Sequence, residues 1–485
     1  MLQGKNRRRF LKSAEDSVAG VVVLSVCALL ALWTPAAIGG EPSAAGGEAA
    51  SAGRPRLLIL TDIGGDPDDQ QSMVRLMAHA NEFEIEGLIA SASGTPGELK
   101  KELVQPDLIR EIVRAYGQVL PNLRLHAQGY PSAEQLLSRI KAGNPKRGWE
   151  QVGEGHDTEA SQWIIGAADR PDPRPLNIAI WGGQTDLAQA LWRIRAGRGE
   201  GGCREFARRL RIYDIGDQDG IVERIWREFP GLFYLLGQAP RGKDKRESVY
   251  RGMYLGGDES LTSRAWIDTN VRQKHGALGA LYPPETWTAP NPHLALKEGD
   301  TPSWFFFLPN GLGDAAHPEW GGWGGRFQRG PDGVYRDGRD KVGDVQDARA
   351  TVWRWRPAFQ NQFQARMEWC VKPYAEANHA PIAVLNGDAT RRVVEVAAAP
   401  GQTVRLSSAG SSDPDGGAVS YRWWVYAEAG TYSGAVAPAE PNRAETSVTV
   451  PPDAAGKTIH IILEVTDGGN PPLTAYRHCV VSVKP

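Results

Sequence analysis

The sequence predicts an α/β domain with a mainly parallel sheet flanked by helices, followed by a C-terminal Ig-like β-sandwich. Three observations carry this expectation. A continuous apolar run, Leu57-Leu58-Ile59-Leu60, enters a turn holding two glycines and four aspartates. Unbroken short apolar runs mark strands buried on both faces, as in parallel sheets. Strand-like and helix-like stretches then alternate as far as about residue 229, the rhythm of βαβ units. Beyond Asn378-His379-Ala380-Pro381 the composition changes to short strand-like runs separated by turn residues.

In chain order, strands are expected over 57–61, 84–91, 177–181 and 210–215. Helices are expected through 73–79, 106–116, 133–140, 164–165, 187–194 and 222–229. The aromatic run 304–308 reads as a further core strand, which would place Asp314 at a strand's carboxyl edge. A closing helix begins near Pro357. The sandwich strands fall at 393–397, 403–407, 420–426, 446–450, 458–465 and 476–483, with Trp423 as the expected core residue. Asp413, Asp415 and Asp467 suit calcium, but turn chemistry also explains them. The α/β domain is expected over 54–375 and the sandwich over 380–485.

The N-terminus has targeting character. Arg7-Arg8-Arg9-Phe10-Leu11-Lys12 fits the twin-arginine export pattern. An apolar run over 18–33 and small residues near Ala36-Ala37 complete a signal peptide over 1–37, with a disordered linker over 38–53. Export to the periplasm or the extracellular space is expected, with membrane contact only through an uncleaved signal. The formal net charge of −2, without a basic stripe, argues against nucleic-acid binding. Cys203, Cys370 and Cys479 lie far apart and form no disulfide framework or Cys-x-x-Cys site.

Three expected strands end in polar turns, 62–69, 182–186 and 214–219, which a parallel sheet gathers at one edge. Asp62, Asp66, Asp68 and Asp69 crowd the first. Carboxylates so close repel unless neutralised, and hard cations take such oxygens. The alternative is a solvated acidic turn that caps the helix starting near Ser72. Trp320 and Trp323 sit among glycines, suited either to stacking on sugar rings or to covering a domain junction.

The TDIGGDPDD turn resembles the signature D-x-D-P-G-x-D-D of the nucleoside hydrolase superfamily, whose members cleave N-glycosidic bonds with bound Ca2+. Gly183-Gln184-Thr185-Asp186-Leu187-Ala188 is similar to that family's G-P-L-T-N-L-A turn, and Gly313-Asp314 to its late His-Asp pair. Nearly the whole mature chain resembles a secreted branch of nucleoside hydrolase-like proteins described as cellulose-binding, with an Ig-like C-terminal domain. The resemblance implies Ca2+ held by Asp68, Asp69, the Thr185 carbonyl and Asp314. It implies Asp62 or Asp66 as the base, because Gly64 stands where the hydrolases carry the middle aspartate. Asp68, Thr95, His156, Asp214, Asn310, Trp320 and Trp323 are expected to contact substrate. His156 and His317 are candidate leaving-group acids, although a loop histidine is more often structural. The expected function is a secreted calcium-dependent hydrolase acting on an N-glycosyl or other glycosidic bond of a nucleoside or carbohydrate. The alternative is a non-catalytic cellulose- or polysaccharide-binding protein on the same fold.

Overall fold

The computed structural model describes residues 53–93, 102–286 and 295–485. The signal and linker expectations over 1–52, and Thr95, lie outside the described residues. No helix among the described residues is long and apolar enough to cross a membrane.

Strand β1 (Arg56–Thr61) is buried along its whole length. Leu57 and Ile59 face one hydrophobic core, and Leu58 and Leu60 face another. Alternate residues of a strand point to opposite faces, so a strand covered on both sides must be apolar throughout. Each such side chain contributes about 1.5–3 kcal/mol on burial. Six strands run parallel side by side: β1, β2 (Glu84–Ala90), β3 (Ile140–Ala142), β4 (Leu176–Ile180), β5 (Leu210–Ile215) and β6 (Phe233–Gly237). An antiparallel pair, β7 (Phe327–Arg329) and β8 (Tyr335–Asp337), joins the edge through β8 against β6. The order is β3-β2-β1-β4-β5-β6-β8-β7. The topological switch therefore falls between β1 and β4, where doubly wound sheets open a crevice at their carboxyl ends.

Helices α1 (Asp68–Ala78), α2 (Pro106–His126), α3 (Ala133–Ser138), α4 (Glu159–Asp169), α5 (Gln184–Ala207) and α6 (Val222–Glu228) link the strands and cover both faces. The aromatic run differs from its expected form. Residues Thr301–Phe305 are a short helix with Pro302 in its first turn, not a strand. Trp304, Phe305 and Phe307 are all buried, so the run has no polar face whose period could separate helix from strand. Neither β3 nor β6 is among the expected strands; the expected helix over 133–140 ends at Ser138, and Ile140 begins β3. A hairpin, β9 (Asp340–Val342) and β10 (Val345–Asp347), precedes the long helix Arg356–Trp369.

The C-terminal region forms a four-stranded sheet, β11 (Val394–Ala398), β16 (Thr474–Val483), β15 (Thr458–Thr466) and β13 (Ser420–Val425), facing a pair, β12 (Thr403–Ser407) and β14 (Glu445–Thr449). Trp423 lies in the core between them, with its indole N–H donating to Arg443 O at 2.8 Å. The sandwich is welded to the α/β body. Buried Asp340 accepts from Arg326 at 2.7 Å, from Arg354 at 2.8 Å and from the Tyr426 hydroxyl of the sandwich at 2.5 Å. Cys203, Cys370 and Cys479 are buried free thiols.

Candidate metal centre

The turn after β1 carries the chain from the sheet into α1, with Asp68 and Asp69 in the helix's first turn. A helix N-terminus favours negative charge there. One carboxylate oxygen from each of Asp68, Asp69 and Asp300 lies within 4.8 Å of the others. Ligand oxygens 2.3–2.6 Å from one cation are at most about 5 Å apart, so this trio has the span of a hard-cation site.

Asp300 is delivered by a stapled segment. Gln71 on α1 donates to Pro283 O and Ala295 O at 2.9 and 2.7 Å, and its carbonyl accepts from Lys297 N at 2.9 Å. One helical turn on, Arg75 pairs with Glu298, both fully buried. Glu298 also accepts from the Tyr282 hydroxyl at 2.5 Å and from Thr301 Oγ1 at 3.0 Å. Asp300 occupies the N-cap of Thr301–Phe305 yet makes no capping bond. Its Oδ2 is buried with no hydrogen-bond partner. A buried acceptor left open this way costs free energy unless something fills it.

The electrostatics agree. Burial raises Asp69 and Asp300 well above the ordinary carboxylate range, and neighbouring carboxylates add to the shift. Burial likewise raises Asp68, against the pull of Lys297. Asp62 is pushed up to about 6, by burial first, while the Arg147 guanidinium at 2.6 Å holds it down. Asp69 accepts from the Thr61 hydroxyl. Lys297 Nζ lies 2.6 Å from Asp66 and 3.0 Å from Asp68. Burial works to lower Lys297, and these two carboxylates more than offset it, so it stays charged. Even with Lys297, Arg147 and Arg251 close by, the carboxylates outnumber the cations. A divalent cation on an all-oxygen donor set would neutralise the excess, and Ca2+ fits that donor chemistry.

The other two acidic turns buttress this centre. Gly182 packs so tightly on Asp62 that an added Cβ would lie 2.7 Å from the Asp62 Cβ. Asp186 accepts from Ser91 Oγ at 2.8 Å, Thr158 Oγ1 at 2.7 Å and Asn144 N at 3.0 Å, which fixes the loop carrying Arg147. Arg147 spans Asp62 and, at 3.7 Å, Asp219.

The expected site residues divide accordingly. Asp62, Asp66, Asp68 and Asp69 come together. Asp314 does not join them; the third carboxylate is Asp300. Asp314 is exposed, binds Ala316 N at 2.8 Å and bears electrostatically on Arg211 near the amino end of β5, the opposite edge of the sheet. The expectation failed because it rested on a strand over 304–308, where the chain instead ends the helix Thr301–Phe305 and turns. Thr185 sits inside α5, where its carbonyl belongs to the helix ladder. It acts instead through its N–H and hydroxyl, both donating to Asp219 at 2.8 and 2.6 Å.

Asp214 is fully buried, accepts from Gln184 and Tyr234 at 2.7 Å, and is pushed up to about 8 by burial. It is a strut rather than a surface for substrate. Asn310 accepts from Leu312 N at 3.1 Å, beside Gly311, whose added Cβ would lie 2.1 Å from Tyr476 O of the sandwich. Trp323 is buried and meets Phe305, Phe359 and Tyr476 edge-on. Trp320 is half-buried, stacks on His317 at 3.9 Å and meets His460 and His478 of the sandwich. Both tryptophans cover the domain junction, the alternative the sequence left open. His317 is occupied there, paired with Glu319 at 3.0 Å. His156 is half-buried in the loop before α4, where its N–H donates to Gly153 O.

Gly64 has φ +101°, and an added Cβ would lie 1.9 Å from Gln105 Nε2 and 2.8 Å from Ser93 Oγ. No carboxylate can stand there without moving this packing. Asp300 was missed, although Asp before Thr-Pro is a helix-start signal that places it at an element boundary.

Residues 56–327 match the family described as cellulose-binding Sde182, nucleoside hydrolase-like domain. Residues 403–483 match the C-terminal domain of cellulose-binding protein Sde0182. A solved structure, a nucleoside hydrolase-related hypothetical protein from Saccharophagus degradans associated with carbohydrate metabolism, is 36% identical. It covers 89% of this chain and 100% of its own, with a TM-score of 0.74. A search of curated proteins found no match. With more than half its length matched, and with this sheet order and fused sandwich, the chain belongs to the cellulose-binding, nucleoside hydrolase-like Sde182 family.

Proposed function

We propose that the chain is an exported, Ca2+-dependent hydrolase acting on a glycosidic bond, N-glycosyl or other, of a nucleoside or carbohydrate. The observation that carries this reading is the convergence of Asp68, Asp69 and Asp300 with an unpartnered Asp300 oxygen. The family's description as cellulose-binding favours a carbohydrate ligand, and Arg7-Arg8 with the following apolar run favours export. Ca2+, when bound, supplies Lewis acidity and a template for sugar hydroxyls. Asp68, Asp69 and Asp300 hold it. Asp62, poised near neutral pH, takes the proton of the attacking water. Arg147 fixes the direction of the Asp62 carboxylate. Lys297 pairs with Asp66 and Asp68 and occupies Asp66, which leaves Asp62 as the base. The surrounding carboxylates stabilise positive charge growing at the anomeric carbon.

One observation favours a second reading, a non-catalytic polysaccharide-binding protein on this fold: position 64 has no carboxylate, and a side chain there would be strained at φ +101° and displace Gln105. Calorimetry with Ca2+ on the wild type and Asp69→Ala tests the metal, and a wild type that binds no Ca2+ would sink the first reading. Incubation with p-nitrophenyl riboside and with cello-oligosaccharides then separates the two. Turnover lost in Asp62→Asn supports the hydrolase; binding without turnover supports the second reading.

A further inference from the structure

Leu125 (54% exposed), Val371 (40%), Tyr374 (42%) and Ile382 (45%) are four of the five large apolar side chains exposed among the described residues. All four lie within three residues of one stack of aromatic rings. Apolar exposure gathered around one site marks interaction surfaces. The stack sits at the seam between the α/β body and the sandwich. His126 ends α2, and His379 begins the passage into the sandwich, with His126 Nδ1 and His379 Nε2 2.9 Å apart. His126 Nε2 lies 2.9 Å from Lys372 O, and His379 Nδ1 lies 2.8 Å from Asp415 Oδ1. Every nitrogen of both rings is engaged, so neither ring can swivel. Trp369 packs on one side of this pair at 5.2 and 5.3 Å, nearly parallel to His126. Tyr374 packs on the other side, 3.9 Å from His379 with planes 16° apart.

Tyr374 is thus an end layer of the stack, packed on His379 and 42% exposed. It is the one exposed aromatic side chain among the described residues, since Trp320 and Trp323 are committed to the junction. Asp413 and Asp415 are near enough to act electrostatically on its hydroxyl. A flat ring stacked on His379, which Asp415 holds by its Nδ1, with Asp413 also near, matches a pyranose unit. The sugar's C–H face stacks on the ring, and its equatorial hydroxyls donate to the carboxylates.

We propose that Tyr374, the neighbouring Val371 and Ile382, and the Asp413 and Asp415 carboxylates form a docking subsite for a β-linked glucan chain, separate from the carboxylate centre. This rests on the carbohydrate-ligand reading above. The test is retention of the full chain on amorphous cellulose, with calorimetry against cellohexaose, in calcium-containing buffer. Tyr374→Ala is expected to weaken both at least tenfold. Tyr374→Phe, which keeps the ring, is expected to stay within about threefold of wild type. Tyr374→Leu keeps apolar bulk without a flat ring and should behave like the alanine variant, so lost packing alone is not mistaken for lost stacking. Asp300→Asn separates the two sites. Retention lost there but kept in Tyr374→Ala would put the glucan at the carboxylate centre and overturn the proposal. Tyr374→Leu binding as wild type would overturn it, and so would a wild type that binds neither ligand. Concentration-dependent dimers abolished equally by Leu125→Ser and Tyr374→Ala, with no effect of either on retention, would reassign the patch to a second copy of the chain and overturn it too.

Discussion

Asp300→Asn should reverse its effect on stability according to whether calcium is present. At 4.8 Å and an effective dielectric near 20, two carboxylates repel by about 3 kcal/mol. Asp300 faces two such partners in the trio. The metal-free protein relieves part of this by holding protons, as the raised carboxylates show, so the net gain from removing one charge is about 1–3 kcal/mol. A unit of about 430 residues gains roughly 1 °C per kcal/mol. In chelator, Asp300→Asn should therefore melt about 1–3 °C above wild type. Calcium at a hundred times its Kd stabilises the wild type by about 2.7 kcal/mol, roughly 3 °C, and should leave the variant unmoved. Scanning fluorimetry in chelator and in calcium reads both arms, with magnesium as the cation control. Asp314→Asn is the residue control and should match wild type in both, because Asp314 lies exposed at the other edge. If Asp300→Asn keeps the full calcium shift, or if Asp314→Asn loses it, the trio is not the metal site.

Other perturbations probe the supports. Glu298→Gln leaves the Arg75 guanidinium buried and unpaired, a change that typically costs 3–5 kcal/mol. Its melting point should fall by about 3–5 °C, and calorimetry should find weaker calcium binding as the segment carrying Asp300 loosens. Gly64→Asp places a side chain at φ +101° against Gln105. A loss of about 1–3 kcal/mol in urea unfolding is expected, with no gain in riboside turnover; higher activity would show that position 64 can host a base after all. Asp214 is held at about 8, against 3.8 unfolded, so the native state keeps a proton that the unfolded chain has released. Its contribution is present below pH 4 and is lost as pH rises towards 8, with a slope of at most about 1.4 kcal/mol per pH unit. Asp214→Asn should flatten the stability profile across that window, and an unchanged slope would contradict the assignment.

The α/β alternation and the six sandwich strands were legible because their cores impose clean periods: unbroken apolar runs in the doubly covered sheet, alternation in the sandwich. The acidic turn after β1 was legible for a related reason, since four aspartates in eight residues need a neutralising partner. The third carboxylate of the trio was not. Trp304, Phe305, Phe307 and Leu308 are all buried, so helix and strand look alike there, and a strand over 304–308 would have placed Asp314 at its carboxyl edge. Asp300 sits four residues before that run, announced only by a helix-start pattern. Its selection depends on Gln71 and Arg75 binding a segment more than two hundred residues away, and no local pattern encodes such a contact. The tryptophan loop failed as a sugar platform for a comparable reason. Its glycines permit close approach of the sandwich rather than mobility, as Gly321 against Tyr426 shows.

The same geometry narrows the chemistry to one carboxylate. Asp66 is spent on Lys297, and Asp68, Asp69 and Asp300 are grouped in the carboxylate trio. Asp62 alone remains, and opposing influences hold it near neutral: burial and Asp68 push it up, Arg147 pulls it down. Removing Arg147 would let burial win, so Arg147→Met should leave Asp62 protonated at neutral pH and unable to accept a proton. Arg147→Lys restores the charge without the fork that reaches both Asp62 and Asp219, and should recover activity only in part. A hydrolase built this way depends on that arginine for its base, whereas a purely binding protein does not. Riboside turnover abolished in Arg147→Met while glucan retention persists would show that the centre is kept for catalysis; turnover indifferent to Arg147 would remove Asp62 from the mechanism.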